Sequence, residues 1–322
     1  MSFRGVIPPV ITPFHADGSI DREGFVAVLE HLIDAGVHGI VIGGTTGEYC
    51  AQMRDERVAL LKLASGTAKG RVPLIAGTGA IRTEDCIDYA LVARDLAFDG
   101  ILIGAPFYAV PTQAELADHA LAIDRAAGMP IMLYNYPGRT GTHMDCEFLD
   151  RVGKSRNFCA IKESSGSIDH LHALARDYSH IDLFCGMDDQ ALEFFSWGAK
   201  GWVCGAGNCL PEEHLALFNA CTVEKDFEKG RKIMSALLPL MHVLEQGGKF
   251  VQSIKFGCEL AGLPAGPVRK PMLGLDDGQK RELEETIRTL KSAIVSIEGK
   301  AGFGGRDKSV HAHGQRAELK TV

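Results

Sequence analysis

The sequence predicts an α/β protein, a closed (β/α)8 TIM barrel followed by C-terminal helices, and three observations carry that prediction. Eight short apolar runs recur along the 322 residues, each closed by a cluster of Gly, Thr, Ser, Asn or Pro. After each run comes a segment of helical period. A chain that is 46% hydrophobic can bury a large core, and a barrel of roughly 250 residues fits within it as one domain.

In order, the runs are GVIPPVITPF from 5, VHGIVIGGT from 37, VPLIAGTG from 72, GILIGAP from 100, PIMLYNYP from 130, FCAIKESS from 158, IDLFCGM from 181 and GWVCGAGN from 201. Their starts lie 32, 35, 28, 30, 28, 23 and 20 residues apart, room each time for a strand, a turn and a helix. Such a succession points to parallel strands joined by helical crossovers and closed into a ring. The helices carry matching punctuation: Asp21 ahead of FVAVLEHLI, Thr83 and two acids ahead of CIDYALVARDL, and Gly36 and Gly128 after last turns. Beyond the eighth run the pattern is helical alone, with helices expected over 211–220, 224–245, 250–262 and 276–297. The expected organisation is a barrel over 1–222 and helices over 223–300 packed on it within the same unit. Over 301–322 Gly, charge and His replace any periodicity, and a disordered tail is expected.

Composition narrows the function. Lys and Arg number 34 against 41 Asp and Glu, a net charge of −7 without a basic block, which offers nothing to a phosphate backbone. Nucleic acid is not an expected partner. Met1 to Phe14 reads as neither signal nor transit peptide, and no run approaches the roughly 18 apolar residues of a membrane span. The expectation is a soluble, cytoplasmic protein with no membrane partner. The nine cysteines, at 50, 86, 146, 159, 185, 204, 209, 221 and 258, are odd in number and never form a CxxC pair. They read as free thiols in a reducing compartment, neither a disulfide frame nor a zinc site. GTG at 77–79 lacks the third glycine of a dinucleotide fingerprint, and GGK at 247–249 lacks the remainder of a P-loop. His170 and His172 would diverge on a helix, and Trp197 and Trp202 read as packing residues. No metal and no separate cofactor are expected.

Reactive groups of such barrels sit at the carboxyl ends of the strands, where the βα loops converge. Lys162 lies in the apolar run CAIKESS, where strand alternation points some side chains into the barrel. Desolvation favours the neutral form of an amine, and a neutral amine attacks a ketone to give a Schiff base. The alternative for Lys162 is an ion pair with Glu163 or with an acid on a neighbouring strand. Tyr134 ends the fifth run, where a phenol relays protons or simply completes the core. Arg139, in NYPGRTG, offers a planar fork for a carboxylate or a brace for its loop. The turn Gly43–Glu48, GGTTGE, sets backbone amides beside the hydroxyls of Thr45 and Thr46, either as a carboxylate seat or as a tight chain reversal.

Together GGTTGE, APFY, YNYPGRTG and IKESSG, in that order and at strand ends, resemble the dihydrodipicolinate synthase and N-acetylneuraminate lyase family of Schiff-base-forming class I aldolases. The likeness runs from about Phe3 to Ile297. It implies catalytic roles for four residues: Lys162 as the Schiff-base lysine, Tyr134 as the proton shuttle, and Thr45 linking Tyr134 to Tyr108 of a second subunit. A dimer or a dimer of dimers is therefore implied. It further implies that Thr46 and the backbone about Gly44 hold the carboxylate of pyruvate, with Val203 near the bound keto acid and Arg139 receiving the carboxyl end of an aldehyde. The reaction implied first is condensation of pyruvate with aspartate 4-semialdehyde to 4-hydroxy-tetrahydrodipicolinate. The alternatives are relatives acting on another 2-oxo acid: a keto-deoxy-sugar-acid aldolase or dehydratase, a hydroxy-pyrroline-carboxylate deaminase, or an N-acetylneuraminate lyase. Lysine-inhibited synthases carry His, Asn and Tyr at a subunit interface, where this chain has Arg54 or Arg57, Ile81 and Phe107.

Overall fold

In a computed structural model that describes residues 3–299, each of the eight expected runs contains one strand of a single parallel sheet. The strands are β1 (Gly5–Val6), β2 (Ile40–Ile42), β3 (Leu74–Gly77), β4 (Gly100–Gly104), β5 (Ile131–Asn135), β6 (Phe158–Glu163), β7 (Asp182–Cys185) and β8 (Gly201–Trp202). Their order is β1-β8-β7-β6-β5-β4-β3-β2. A parallel bridge from Pro9 to Val41 joins the two ends, so the ring closes. The helices are α1 (Arg22–Ala35), α2 (Arg54–Ala68), α3 (Thr83–Asp95), α4 (Gln113–Ala127), α5 (Pro137–Thr140), α6 (Cys146–Val152), α7 (Ile168–Asp177), α8 (Ala191–Ser196), α9 (Pro211–Phe218), α10 (Phe227–Gln246), α11 (Phe250–Leu260) and α12 (Asp277–Glu298). The tail expected over 301–322 lies outside the described residues.

Strand alternation divides the buried side chains into two sets. Ile7, Val41, Ile75, Leu102, Met132, Ala160, Phe184 and Val203, one from each strand or its direct continuation, fill the barrel interior. The opposite faces, among them Val6, Ile40, Ile42, Leu74, Ile101 and Ile161, pack outward under the helices. Asp21 caps α1 by accepting from the Gly24 amide, and Gly36 ends that helix at φ 82°. Gly128 ends α4 in the same left-handed conformation.

The first run is shorter as a strand than its ten residues suggest, because prolines have no N–H to give. Pro8 and Pro9 break the ladder after Val6, and the side chain of Asn208 replaces what is lost. Its amide oxygen accepts from the Ile11 N–H at 3.0 Å, while its nitrogen donates to the carbonyls of Pro9 and Gly205 at 2.9 and 2.8 Å. Three helix boundaries also differ from expectation. α3 is preceded by Arg82 in the capping position, since the Thr83 hydroxyl is paired with His119 Nδ1 at 2.9 Å. α9 stops at Phe218 and widens into a π-turn over Asn219–Val223. α10 begins at Phe227, where Asp226 accepts from the Lys229 amide. Among the described residues no helix is long and apolar enough to cross a membrane.

Candidate functional site

Tyr134 and Lys162 are register partners on β5 and β6, so both project from adjacent strands at the same height. Each lies two residues past an interior side chain, Met132 and Ala160, and alternation therefore turns both into the mouth of the ring. Lys162 is 7% exposed, and its Nζ stands 4.1 Å from the centre of the Tyr134 ring. The ion-pair alternative with Glu163 fails on the same alternation, because the next residue along a strand faces the other way. Glu163 is buried on the outer side, where it accepts from Asn135 Nδ2 at 2.7 Å, from the Ser165 amide at 2.6 Å and from His170 Nδ1 at 2.8 Å. Burial pushes that carboxyl up, but the hydrogen bond and charge of His170, with those of Ser165 and Asn135, outweigh it and hold its pKa below 4.5.

The mouth is a cavity in two compartments. The larger, about 260 Å³, is walled by Gly44, Tyr49, Gly79 and Phe107 among others. A smaller one of about 30 Å³ holds Lys162, Thr46, Asp188, Val203 and Glu245. Thr45, Tyr134, Tyr136 and Arg139 line both and form the wall between them. Of the eight site residues expected, seven thus meet at one place. Tyr108 does not: it is 91% exposed at φ 70°, on the loop after β4.

Close backbone approach shapes this mouth. A Cβ on Gly77 would collide with the carbonyl of Gly43, so the exits of β2 and β3 can touch as they do. The turn Thr45–Gly47 is held from behind by Glu48, at φ 59°, whose carboxylate accepts from Lys255 Nζ on α11 and from the Arg269 amide, both at 2.9 Å. Asp188, after β7, accepts from Trp202 Nε1 at 2.8 Å and from the Gly205 amide at 3.2 Å. Burial raises its pKa to about 6 against the pull of Trp202 and Lys162. Arg139 is set with its guanidinium carbon 5.3 Å from the Tyr136 ring centre, at the boundary of the compartments. Among the described residues no group of three or more His, Cys, Asp and Glu side chains is placed to hold a metal.

Residues 2–290 match the family model described as the dihydrodipicolinate synthetase family. The chain belongs to that family. The 4-hydroxy-tetrahydrodipicolinate synthase 1 of Halalkalibacterium halodurans is 34% identical over 92% of this chain and 100% of its own length. Among solved structures, the 4-hydroxy-tetrahydrodipicolinate synthase of Methylacidiphilum fumariolicum SolV superposes with a TM-score of 0.87 at 30% identity, covering 92% of this chain and 98% of that one. A prophage protein of the family from E. coli K12, solved in complex with pyruvate, gives 0.84 at 30% identity over 90% and 99%.

Three of the residues that the resemblance set at a subunit interface, Arg54, Arg57 and Phe107, have partners within this chain. Arg57 is buried, donating to the carbonyls of Gly79 and Gly77 at 2.9 Å each, with Tyr89 stacked 3.6 Å from its guanidinium carbon. Arg54 pairs with Asp88 at 2.7 Å, and Phe107 packs edge-on to Tyr49. Among the lining residues that the sequence did not point to are Tyr136, Asp188 and Glu245. Tyr136 sits inside the motif YNYPGRTG and was within reach of it. Asp188 follows the seventh run at a strand end, a position that marks it. Glu245 comes from a helix outside the eight units, and nothing local to its sequence signals the site. Trp202 is a packing residue as expected, whereas Trp197 is 48% exposed and stacks on His172 at 4.4 Å.

Proposed function

We propose that this chain is a pyruvate-dependent lyase or synthase whose first step is an imine between Lys162 and a 2-oxo acid, and that its second substrate is aspartate 4-semialdehyde. The observation that carries the reading is the Lys162 amine, buried among barrel side chains and 4.1 Å from the Tyr134 ring at the mouth of the strands. The lone pair of the amine attacks the keto carbon. Tyr134 supplies and recovers the protons that turn the carbinolamine into imine and water. Loss of a methyl proton then gives the enamine, which attacks the aldehyde; closure of the ring by the aspartate-derived amine releases Lys162. Thr46 and the backbone at Gly44 hold the pyruvate carboxylate, and Val203 packs beside its methyl group. Arg139, at the boundary between compartments, receives the second carboxylate. The covalent imine takes the place of a cofactor.

Tyr108 completes the site from a second copy. Its exposure and positive φ, next to Val110, also exposed at φ 46°, support an outward-reaching loop that docks on a partner. The active unit is a dimer, assembled in pairs as a tetramer. The nine cysteines, all free, support action in the reducing cytoplasm. A second reading, cleavage or dehydration of another 2-oxo acid by the same imine, is favoured by the acidic groups Asp188 and Glu245 beside Lys162, which suit a hydroxylated chain.

Trapping tests the chemistry. Incubation with pyruvate and borohydride should add one reduced pyruvyl mass to the peptide holding Lys162, and Lys162→Ala should gain none. An unlabelled wild-type peptide refutes the imine. A panel of aspartate 4-semialdehyde, hydroxy-pyrroline carboxylate and 2-keto-3-deoxy acids then assigns the second substrate, and turnover of the latter two alone would displace the named synthase.

A further inference from the structure

Glu245 stands in the last turn of α10, outside the barrel strands, yet lines the compartment that holds Lys162. α10 packs on the turn Asp188–Gln190, which brings the end of the helix over the strand exits. For the helix itself a carboxylate is misplaced there, since the C-terminal end of the macrodipole is negative. Among the described residues its carboxyl takes part in no hydrogen bond and no ion pair. The charged groups that face it are Asp188 and Asp189 from the turn after β7, Lys162 from β6 and Arg139 from α5. An acid set against two other acids and no fixed partner serves no packing purpose.

We propose that Glu245 is the acid–base group for the oxygen on the acceptor carbon of the reaction. It delivers its proton to the aldehyde oxygen as the enamine carbon attacks, and in the reverse cleavage its carboxylate takes that proton back. The inference rests on the imine reading above. As the new C–C bond forms, the carbonyl π pair moves to oxygen, which takes the Glu245 proton, while the enamine nitrogen pair becomes the C=N bond of an iminium. Neutral enamine, aldehyde and acid thus become iminium, alcohol and carboxylate, with atoms and charge conserved. A departing hydroxyl on the same carbon would accept the same proton, so the substrate class is a 2-oxo acid bearing oxygen at C4.

Electrostatics times the transfer. Burial and the charges of Asp188 and Asp189 raise the Glu245 pKa to about 8, against the pull of Lys162 and Arg139. At neutral pH the group therefore carries the proton it is to give. At the enamine stage the nitrogen on Lys162 is neutral, so one of the two positive charges that favour the carboxylate is gone and the proton is held more firmly. Bond formation restores that charge as iminium, and the carboxylate is stabilised at the moment it forms.

The test compares Glu245→Gln and Glu245→Asp with the wild-type enzyme, using pyruvate with aspartate 4-semialdehyde or D-glyceraldehyde. Pyruvate trapping by borohydride should be unchanged in Glu245→Gln, while kcat for condensation falls on the order of 100-fold or more. The basic limb of the kcat–pH profile should vanish in Glu245→Gln, and Glu245→Asp should recover part of the rate. Near wild-type kcat with an unaltered basic limb in Glu245→Gln overturns the proposal, as does loss of trapping in a variant with native circular dichroism. No turnover of either acceptor by a wild-type enzyme that does trap pyruvate overturns the assignment to an acceptor oxygen. Failure of the wild type to trap pyruvate defeats the imine reading itself.

Discussion

Gly186 sets the space in which Lys162 lies. A Cβ there would stand 2.8 Å from both Cγ and Cε of Lys162 and would collide with the Ser164 hydroxyl, so something must move. Gly186→Ala should displace the lysine from the Tyr134 ring and slow imine trapping by about 10-fold or more, with the fold retained; trapping at the wild-type rate would show that the lysine stem has room to spare. Behind the same strand, Glu163 makes stability depend on pH. Its folded pKa lies below the ordinary 4.5, so its contribution is present above about pH 4.5 and is lost as pH falls through the lowered value. Denaturant unfolding should find Glu163→Gln less stable than wild type by about 1–3 kcal/mol at pH 7, with the gap shrinking below pH 4.5. A gap that widens in acid would mean the carboxyl is buried neutral. Lys162 and Tyr134 were legible in the sequence because each lies in an apolar run where alternation sets its face, and Arg139 because it follows the fifth run within NYPGRTG. Glu245 was not legible, since its place depends on where a helix end lands.

Strand existence was readable and strand length was not. The ten residues of GVIPPVITPF are buried throughout, yet two ladder residues remain, because the missing proline donors count for more than burial. Backbone pairing holds β1 to β8, and beyond the prolines a side chain nearly two hundred residues away, the fully buried Asn208, fixes the chain at Pro9 and Ile11. Asn208→Ala would leave the Ile11 amide and the Pro9 carbonyl without this partner inside the core, at a cost of roughly 3 kcal/mol in unfolding free energy. A loss under about 0.5 kcal/mol would mean that other groups close the ring. The C-terminal helices act on the site by similar long reach: Lys255 on α11 holds Glu48 behind the Thr45–Gly47 turn, and α10 delivers Glu245. Their amphipathic period was visible in the sequence, whereas the barrel face they cover was not.

At the scale of the whole molecule, one chain leaves Tyr108 in solvent while seven other expected residues share a cavity. If a partner supplies that tyrosine, Tyr108→Phe and Lys162→Ala are each nearly inactive alone. Their equimolar mixture, after exchange of subunits, should recover up to about a quarter of wild-type activity, because mixed dimers hold one site with both groups intact. No recovery in mixtures shown by mass spectrometry to contain mixed dimers would place Tyr108 in the site of its own chain or outside the chemistry. The sequence by itself determined the eight βα units, the barrel they close and the order of the motifs on its strand ends, since these depend on local period and on alternation within a few residues. The tertiary structure alone decided that Asn208 holds the chain beyond the prolines at Pro9 and Ile11, and that an acid from α10 faces Lys162. Those contacts join residues whose separation along the chain carries no period, so their meeting is set by how helices pack on the finished barrel.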